Sequence, residues 1–201
     1  MNDNLLFTDT ETTGFKKSGL IVEGQARVCQ IAMILTDKTG RILAQFSSYI
    51  KPNGWKIGDG AFKQHGISQE DCENYGMPQS HFMGMFLTFL QKSNLVVAHN
   101  SNFDESMMDV ETAYYNDASD LSMKSPKRPW YCTQKNTVDI CCVPPTEKMI
   151  AVGRTHYKTP SLAEAYHHFT GKRIEGAHDA MVDTRACMEI YFGMKGIKLA
   201  A

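Results

Sequence analysis

Asp9 and Glu11 stand two positions apart just after a short apolar run, Leu5 to Thr8, in the segment FTDTETTGF. If that run is a strand, its period of two turns both carboxylates to one face. Neighbouring carboxylates on a buried strand repel each other and are costly unless a cation sits between them. Such all-oxygen donors suit a hard divalent ion, Mg2+ or Mn2+. Asp104 follows a second apolar run, Leu95 to Ala98. It therefore stands at the carboxyl end of another strand, where ligands of α/β sheets collect; a helix N-cap is the other role open to it. His178 and Asp183 bracket the start of a further segment. Five residues amount to about 500° of helical rotation, which leaves the two about 140° apart on an ideal helix. They share a site only if His178 lies in a loop after Gly176-Ala177 and Asp183 on the first turns of the helix. Asp179 between them suits the N-cap. Together the acidic groups and the imidazole match what metal-assisted hydrolysis needs: ligands for the ions and a base near neutral pH.

The elements that must position these groups show in the patterning. Val28 to Thr36 (VCQIAMILT) and Arg41 to Ile50 (RILAQFSSYI) read as strands, and Asp37-Lys38-Thr39-Gly40 between them has hairpin chemistry. With Leu5 to Thr8 they predict an antiparallel meander. After Lys51-Pro52-Asn53-Gly54 the pattern turns helical. Phe82, Met85, Phe86, Phe89 and Leu90 recur at helical spacing over Gln79 to Gln91, a stripe that fits core packing. Leu95 to Ala98 predicts a short buried strand, and Asp104 to Tyr115 a helix, which together suggest a parallel crossover. Residues 117–135 read as a polar loop. Asn136 to Val143 (NTVDICCV) predicts a fifth strand, to which Trp130 to Thr133 could also belong, and Thr146 to Thr159 shows no clear pattern. Ser161 with Glu164 forms a capping box for a helix that ends at Gly171, and Ala180 to Met194 predicts a last amphipathic helix.

The chain has 201 residues, 42% hydrophobic and 21% charged, with a formal net charge of −1. Such a length suits one domain, here residues 1–201 with a core of about 5–195. No run is long and apolar enough to span a membrane, and the polar start Met1-Asn2-Asp3-Asn4 does not resemble a signal peptide, so a cytoplasmic location is expected. The near-neutral charge argues against a broad basic face that coats nucleic acid. Cys29, Cys72, Cys132, Cys141, Cys142 and Cys187 contain no C-x-x-C pair and read as reduced thiols.

FTDTETTGF at 7–15, AHNSNFD at 98–104 and AHDAMVD at 177–183 resemble the three exonuclease motifs of the DnaQ-like DEDDh exonucleases, of the RNase H-like superfamily. The resemblance runs from about Leu5 to Phe192. It implies an α/β fold with a five-stranded mixed sheet of order 3-2-1-4-5, the first three strands antiparallel, and helices on both faces. It also implies 3′→5′ hydrolysis of nucleic acid to nucleoside 5′-monophosphates with two divalent ions, Mg2+ or Mn2+. Asp9 would be shared between the ions, Glu11 and Asp183 would hold one, Asp104 the other, and His178 would act as general base. Thr13, Gly14, His65, Asn100 and Phe103 are the candidates for contact with the terminal nucleotide. His65 lies in Gln64-His65-Gly66-Ile67, similar to a segment lining the terminal base in proofreading relatives. For Phe103, core packing is the competing role.

The stretches at 130–145 and 157–171 resemble stand-alone exonucleases, and single-stranded DNA is the favoured substrate. The chain ends eight residues after Gly193, too soon for a polymerase-binding tail, which also favours a stand-alone enzyme. An RNA-trimming exoribonuclease, a proofreading subunit within a polymerase complex, and an inactive fold used as a binding module stay open as alternatives. Homodimerisation stays open as well.

Overall fold

A computed structural model describes residues 3–118 and 126–199. A five-stranded sheet has the order β3-β2-β1-β4-β5. Its strands are β1 (Leu5–Thr12), β2 (Val28–Thr36), β3 (Ile42–Tyr49), β4 (Leu95–Ala98) and β5 (Trp130–Cys132). β1 pairs antiparallel with β2, and β2 with β3, as the hairpin chemistry at Asp37 to Gly40 predicts. β4 lies parallel to both β1 and β5. This is the mixed sheet expected for the RNase H-like fold. β2 is buried along its whole length, which is why its sequence is a nearly unbroken apolar run.

Leu6 and Phe7 point to opposite faces and into different cores. On one face Leu6, Ile31, Met33 and Val96 pack against α3 (Gln79–Lys92) and α4 (Ser101–Ala118) through Phe82, Phe86, Phe89, Leu90, Met107 and Met108. On the other face Phe7, Ile34 and Val97 pack against α9 (Ala180–Met194) through Cys187, Met188, Tyr191 and Phe192. A buried ion pair ties the first layer together. Arg27 Nε and Nη2 donate to the two oxygens of Glu111 at 2.9 and 2.8 Å, and Val28 N and Gln79 Nε2 donate to the same carboxylate. The Arg27 guanidinium also lies 4.0 Å from the Tyr114 ring centroid.

Between β3 and α3 the chain forms α1 (Asp59–His65) and α2 (Gln69–Tyr75). The stretch at Thr146 to Thr159 contains α7 (Glu147–Ala151), started by Thr146, whose hydroxyl accepts from Met149 N. α8 (Leu162–Thr170) has the predicted capping box of Ser161 and Glu164 and ends on left-handed Gly171. The predicted helix at Asp104 begins earlier, at Ser101, and runs to Ala118, so Asp104 lies within its first turn and is not its N-cap.

The fifth strand is corrected. Asn136 to Val143 is not a strand: α5 (Thr133–Asn136) and α6 (Val138–Cys141) occupy that stretch, and the edge strand is Trp130–Cys132. β-branched residues suggested a strand, but here Thr137 Oγ1 donates to the carbonyl of Thr133, four residues back, which suits a helical turn. The predicted loop over residues 117–135 gives way to structure at both ends, and its centre, 119–125, falls outside the described residues. No helix among the described residues is long and apolar enough to cross a membrane.

Candidate active site

β1 and α9 bring the first acidic groups together by matched lengths. Phe7 packs against Tyr191 and Phe192 with ring centroids 5.5 and 5.6 Å apart. From Phe7 to Glu11 a strand advances about 13 Å. From Phe192 back to Asp183 a helix covers about the same distance. The odd-numbered positions of β1 face α9, so Asp9 and Glu11 meet Asp183 at the far end of this pairing. Glu11, His178 and Asp183 each offer a ligand atom, all within 4.8 Å of one another.

Asp104 arrives from the other layer. Pairing of β1 with β4 stops at Phe7 and Val97, and the chain turns away through Asn100, whose φ is 71°. The β4 side of β1 then lacks a strand partner, and the Thr10 N–H and hydroxyl both donate to Asp104 Oδ1, at 3.0 and 2.8 Å. Asp9, Glu11, Asp104, His178 and Asp183 all line one cleft of about 590 Å³.

His178 lies in the loop before α9 with φ 71°, and its N–H donates to Asp183 Oδ2 at 3.2 Å. This backbone resolves the angular mismatch of two positions five residues apart, since His178 is outside the helix. Asp179 caps α9 by accepting from Met181 N and Val182 N. Gln30 on β2 holds that cap: its Nε2 donates to Asp179 Oδ2 and its Oε1 accepts from Ala180 N, both at 3.1 Å.

The acidic groups are held against their charge. Burial, then the carboxylates of Asp104, Asp183 and Glu11, push Asp9 well above the usual carboxylate range. Burial, then Asp183 and Asp104, push Glu11 to about 8. Burial raises Asp104 to about 7 although hydrogen bonds from Thr10 oppose it. Asp183 is raised by burial, against the opposing His178 N–H and imidazole. Among the described residues, the Lys and Arg ion pairs go to Glu111, Asp37 and Glu164, not to these carboxylates. Asp183 Oδ1 is buried without a hydrogen-bond partner. Hard oxygen donors, mutual repulsion and an orphaned carboxylate oxygen fit a site for divalent cations.

Of the candidate nucleotide contacts, Gly14, His65, Asn100 and Phe103 line the cleft. A Cβ on Gly14 would meet nothing within 4 Å. His65 Nε2 lies 3.3 Å from the Thr12 carbonyl, which can only accept, so that nitrogen carries the proton; Nδ1 accepts from Ile67 N. Thr13 is not among the residues lining the cleft: its hydroxyl accepts from Arg27 N at 3.0 Å and its N–H bonds the Arg27 carbonyl. Phe103 packs partly against the core, the competing role, and also lines the cleft, where it meets Phe15 edge to face at 6.4 Å.

Sequence reasoning left out Phe15, Gln64, His99 and Gln30. Phe15 is 88% exposed at the cleft, and an aromatic placed straight after a glycine turn was its only signal. Gln30 could have been noticed as a polar residue inside an apolar run. His99 bonds the Pro160 carbonyl through Nε2 and the Thr133 hydroxyl through Nδ1, joining the end of β4 to the segment before α8. Gln64 Nε2 lies 3.3 and 3.1 Å from the two ring nitrogens of His178.

The family described as exonuclease matches residues 6–191 of the chain. The chain is 28% identical over 197 residues to DNA polymerase III subunit epsilon of Treponema pallidum (strain Nichols), covering 96% of this chain and 78% of that one. E. coli exonuclease I in complex with a dT13 oligonucleotide superposes with a TM-score of 0.71 at 19% identity, over 97% of this chain and 41% of that one. The zinc-bound form of the E. coli exonuclease I complex with single-stranded DNA gives 0.70 at 19%, over 98% and 41%. This chain therefore spans well under half the length of those solved chains, and the likeness to them is one of fold.

Proposed function

The chain belongs to the exonuclease family and is a 3′→5′ exonuclease, and on that premise we propose how it works and on what. It hydrolyses the terminal phosphodiester of a nucleic-acid strand, single-stranded DNA by preference, and releases nucleoside 5′-monophosphates. Asp9, Glu11, Asp104 and Asp183 hold two divalent cations, Mg2+ or Mn2+, and His178 is the general base. The observation that supports this most is the meeting of these carboxylates and one imidazole in one cleft, with no Lys or Arg neutralising them among the described residues.

Such ions, when bound, neutralise the clustered carboxylates and polarise the phosphate. The chain's own residues do the rest. His178 stands in reach of Glu11 and Asp183, so it can take a proton from a water that enters there. Thr10 fixes the rotamer of Asp104 through two hydrogen bonds to one oxygen. That leaves the other Asp104 oxygen to serve as a ligand. Open space at Gly14 lets a terminal sugar come close to the backbone. Phe15 and Phe103 offer faces for a terminal base, and stacking of that kind contributes about 1–3 kcal/mol per base. Stacking and metal ligation suffice for binding without a broad basic surface, in keeping with the net charge of −1. The exonuclease I structures in complex with dT13 and single-stranded DNA favour single-stranded DNA as the substrate.

The test is a panel of end-labelled DNA and RNA oligonucleotides, single- and double-stranded, in Mg2+, Mn2+ and EDTA. Single-stranded DNA with a free 3′ hydroxyl is shortened fastest, one nucleotide at a time, and only with metal. Faster digestion of RNA would move the assignment to an exoribonuclease. Equal digestion of a strand blocked by a 3′ phosphate would overturn the mechanism of end recognition. The relative in Treponema pallidum is a DNA polymerase III subunit, which favours a second reading in which this chain proofreads within a polymerase complex. Copurification with a polymerase, and activity raised by it on mismatched primers, would establish that reading.

A further inference from the structure

α1 (Asp59–His65) forms one wall of the cleft through Gly60, Ala61, Gln64 and His65, yet none of its residues is buried. It is anchored at its carboxyl end, where His65 is tied to Thr12 and Ile67 and Gly66 N–H bonds the Phe62 carbonyl. Gln64, just before this anchor, turns its amide toward His178. One amide nitrogen lies 3.3 Å from Nδ1 and 3.1 Å from Nε2 of the same ring. In the plane of an imidazole, a point so nearly equidistant from both nitrogens would collide with the carbon between them. The Gln64 amide therefore lies over the face of the ring. Both ring nitrogens stay open at their edges, one of them toward Glu11 and Asp183.

His178 needs such a neighbour. Its side chain is exposed, and it sits on a loop with a left-handed backbone outside α9. Its N–H is fixed by Asp183, but that bond does not orient the ring. Among the described residues, Gln64 is the side chain within hydrogen-bonding distance of the ring. An imidazole left free explores several rotamers, and a base displaced by about 1 Å can cost about a hundredfold in rate.

Resting on the reading of His178 as general base, we propose that Gln64 is a positioning residue that lies over the His178 imidazole and holds it toward Glu11 and Asp183. It acts on the rate of the chemical step through His178 and makes no contribution of its own to holding the strand. A glutamine suits the place because its amide is neutral. Lying over the ring, it packs against the imidazole without occupying the edge of either nitrogen. A carboxylate there would add a charge to an already acidic site.

Six proteins decide it: native, Gln64→Met, Gln64→Ala, His178→Ala and the two double variants, in single-turnover and steady-state digestion of a 5′-labelled oligonucleotide with Mg2+. Gln64→Met preserves side-chain length, and with no buried residue in α1 the fold is retained; Gln64→Ala serves as the second variant. His178→Ala lowers kcat by about 10²–10⁴. Gln64→Met and Gln64→Ala lower kcat about tenfold with KM within about twofold, and neither lowers kcat further once His178 is Ala. In metal-free protein the ring resonance of His178, assigned by its loss in His178→Ala, moves in both Gln64 variants. Native rates in both Gln64 variants would overturn the proposal. So would a loss confined to KM, or an equal further loss on top of His178→Ala. Full activity of His178→Ala would instead remove the general-base reading, and that outcome is read without any Gln64 variant.

Discussion

Asp9 contends with more repulsion than a carboxylate in water ever meets. Its burial and the nearness of Asp104, Asp183 and Glu11 all favour the protonated form. Three expectations concern these groups. Replacing Asp9 or Asp183 by Asn abolishes cleavage, by about a thousandfold or more, because a ligand is lost. The same replacements raise the unfolding midpoint in EDTA, since they relieve repulsion, by about 2–4 °C for each kcal/mol relieved. Metal-dependent cleavage and thermal unfolding, measured on the same samples, check both; a large drop of the midpoint in EDTA would make these carboxylates structural. A third expectation concerns pH. Without metal, folded Glu11 titrates near pH 8 and Asp104 near pH 7, against ordinary values of 4.5 and 3.8. Over that interval the folded chain holds more protons than the unfolded one, so stability falls as pH rises. The contribution is whole below the ordinary values and is gone once pH has passed 8. His99, lowered by burial to about 4, acts in the opposite sense between pH 6.5 and 4. The carboxylate effect is therefore cleanest from pH 6.5 to 8.5. Urea unfolding in EDTA across that range should show a declining midpoint, and millimolar Mn2+ should flatten it.

At the scale of elements, the Arg27–Glu111 pair couples α3 and α4 to the start of β2, and Glu111 is 1% exposed. Arg27→Met leaves a buried carboxylate without its partner and should cost about 3–5 kcal/mol of stability. Arg27→Met with Glu111→Leu should recover most of it, and urea titration of the two variants measures the difference. Phe192→Ala, which removes the ring that seats α9 on Phe7, should also cost about 3–5 kcal/mol. Much of this framework is readable before folding. β2 announces itself by its apolar run, α8 by its capping box and α9 by the acid at its cap. β5 does not, because three residues are too few to show a period, and Thr137 in the strand-like stretch after it spends its hydroxyl on a helical turn. The acidic candidates were readable because three short motifs, at 7–15, 98–104 and 177–183, together resemble those of a known family, whereas D-x-E alone is a weak signal. Gln64 was not, since its meaning depends on α1 folding across from a loop more than a hundred residues away.

For the whole molecule, the net charge of −1 and the concentration of acid in one cleft set how a strand can be held. Binding should depend on divalent metal far more than on ionic strength. We expect KM for a single-stranded oligonucleotide to rise only gently with KCl, with a log–log slope of about 1–3, as for very few phosphate contacts. A steep slope, measured at constant free Mg2+, would reveal a longer basic track.

β1 alternates Thr8, Asp9, Thr10, Glu11 and Thr12, with threonines toward one layer and acids toward the other. A slip of one residue against β2 would exchange the two sets. Asp9 and Glu11 would then be turned toward the layer of α3 and α4, whose buried side chains are largely apolar. Charges that strain the correct fold would thus penalise the mispaired one far more heavily. The acids proposed to serve cleavage would then also disfavour a misaligned sheet while the chain is still assembling.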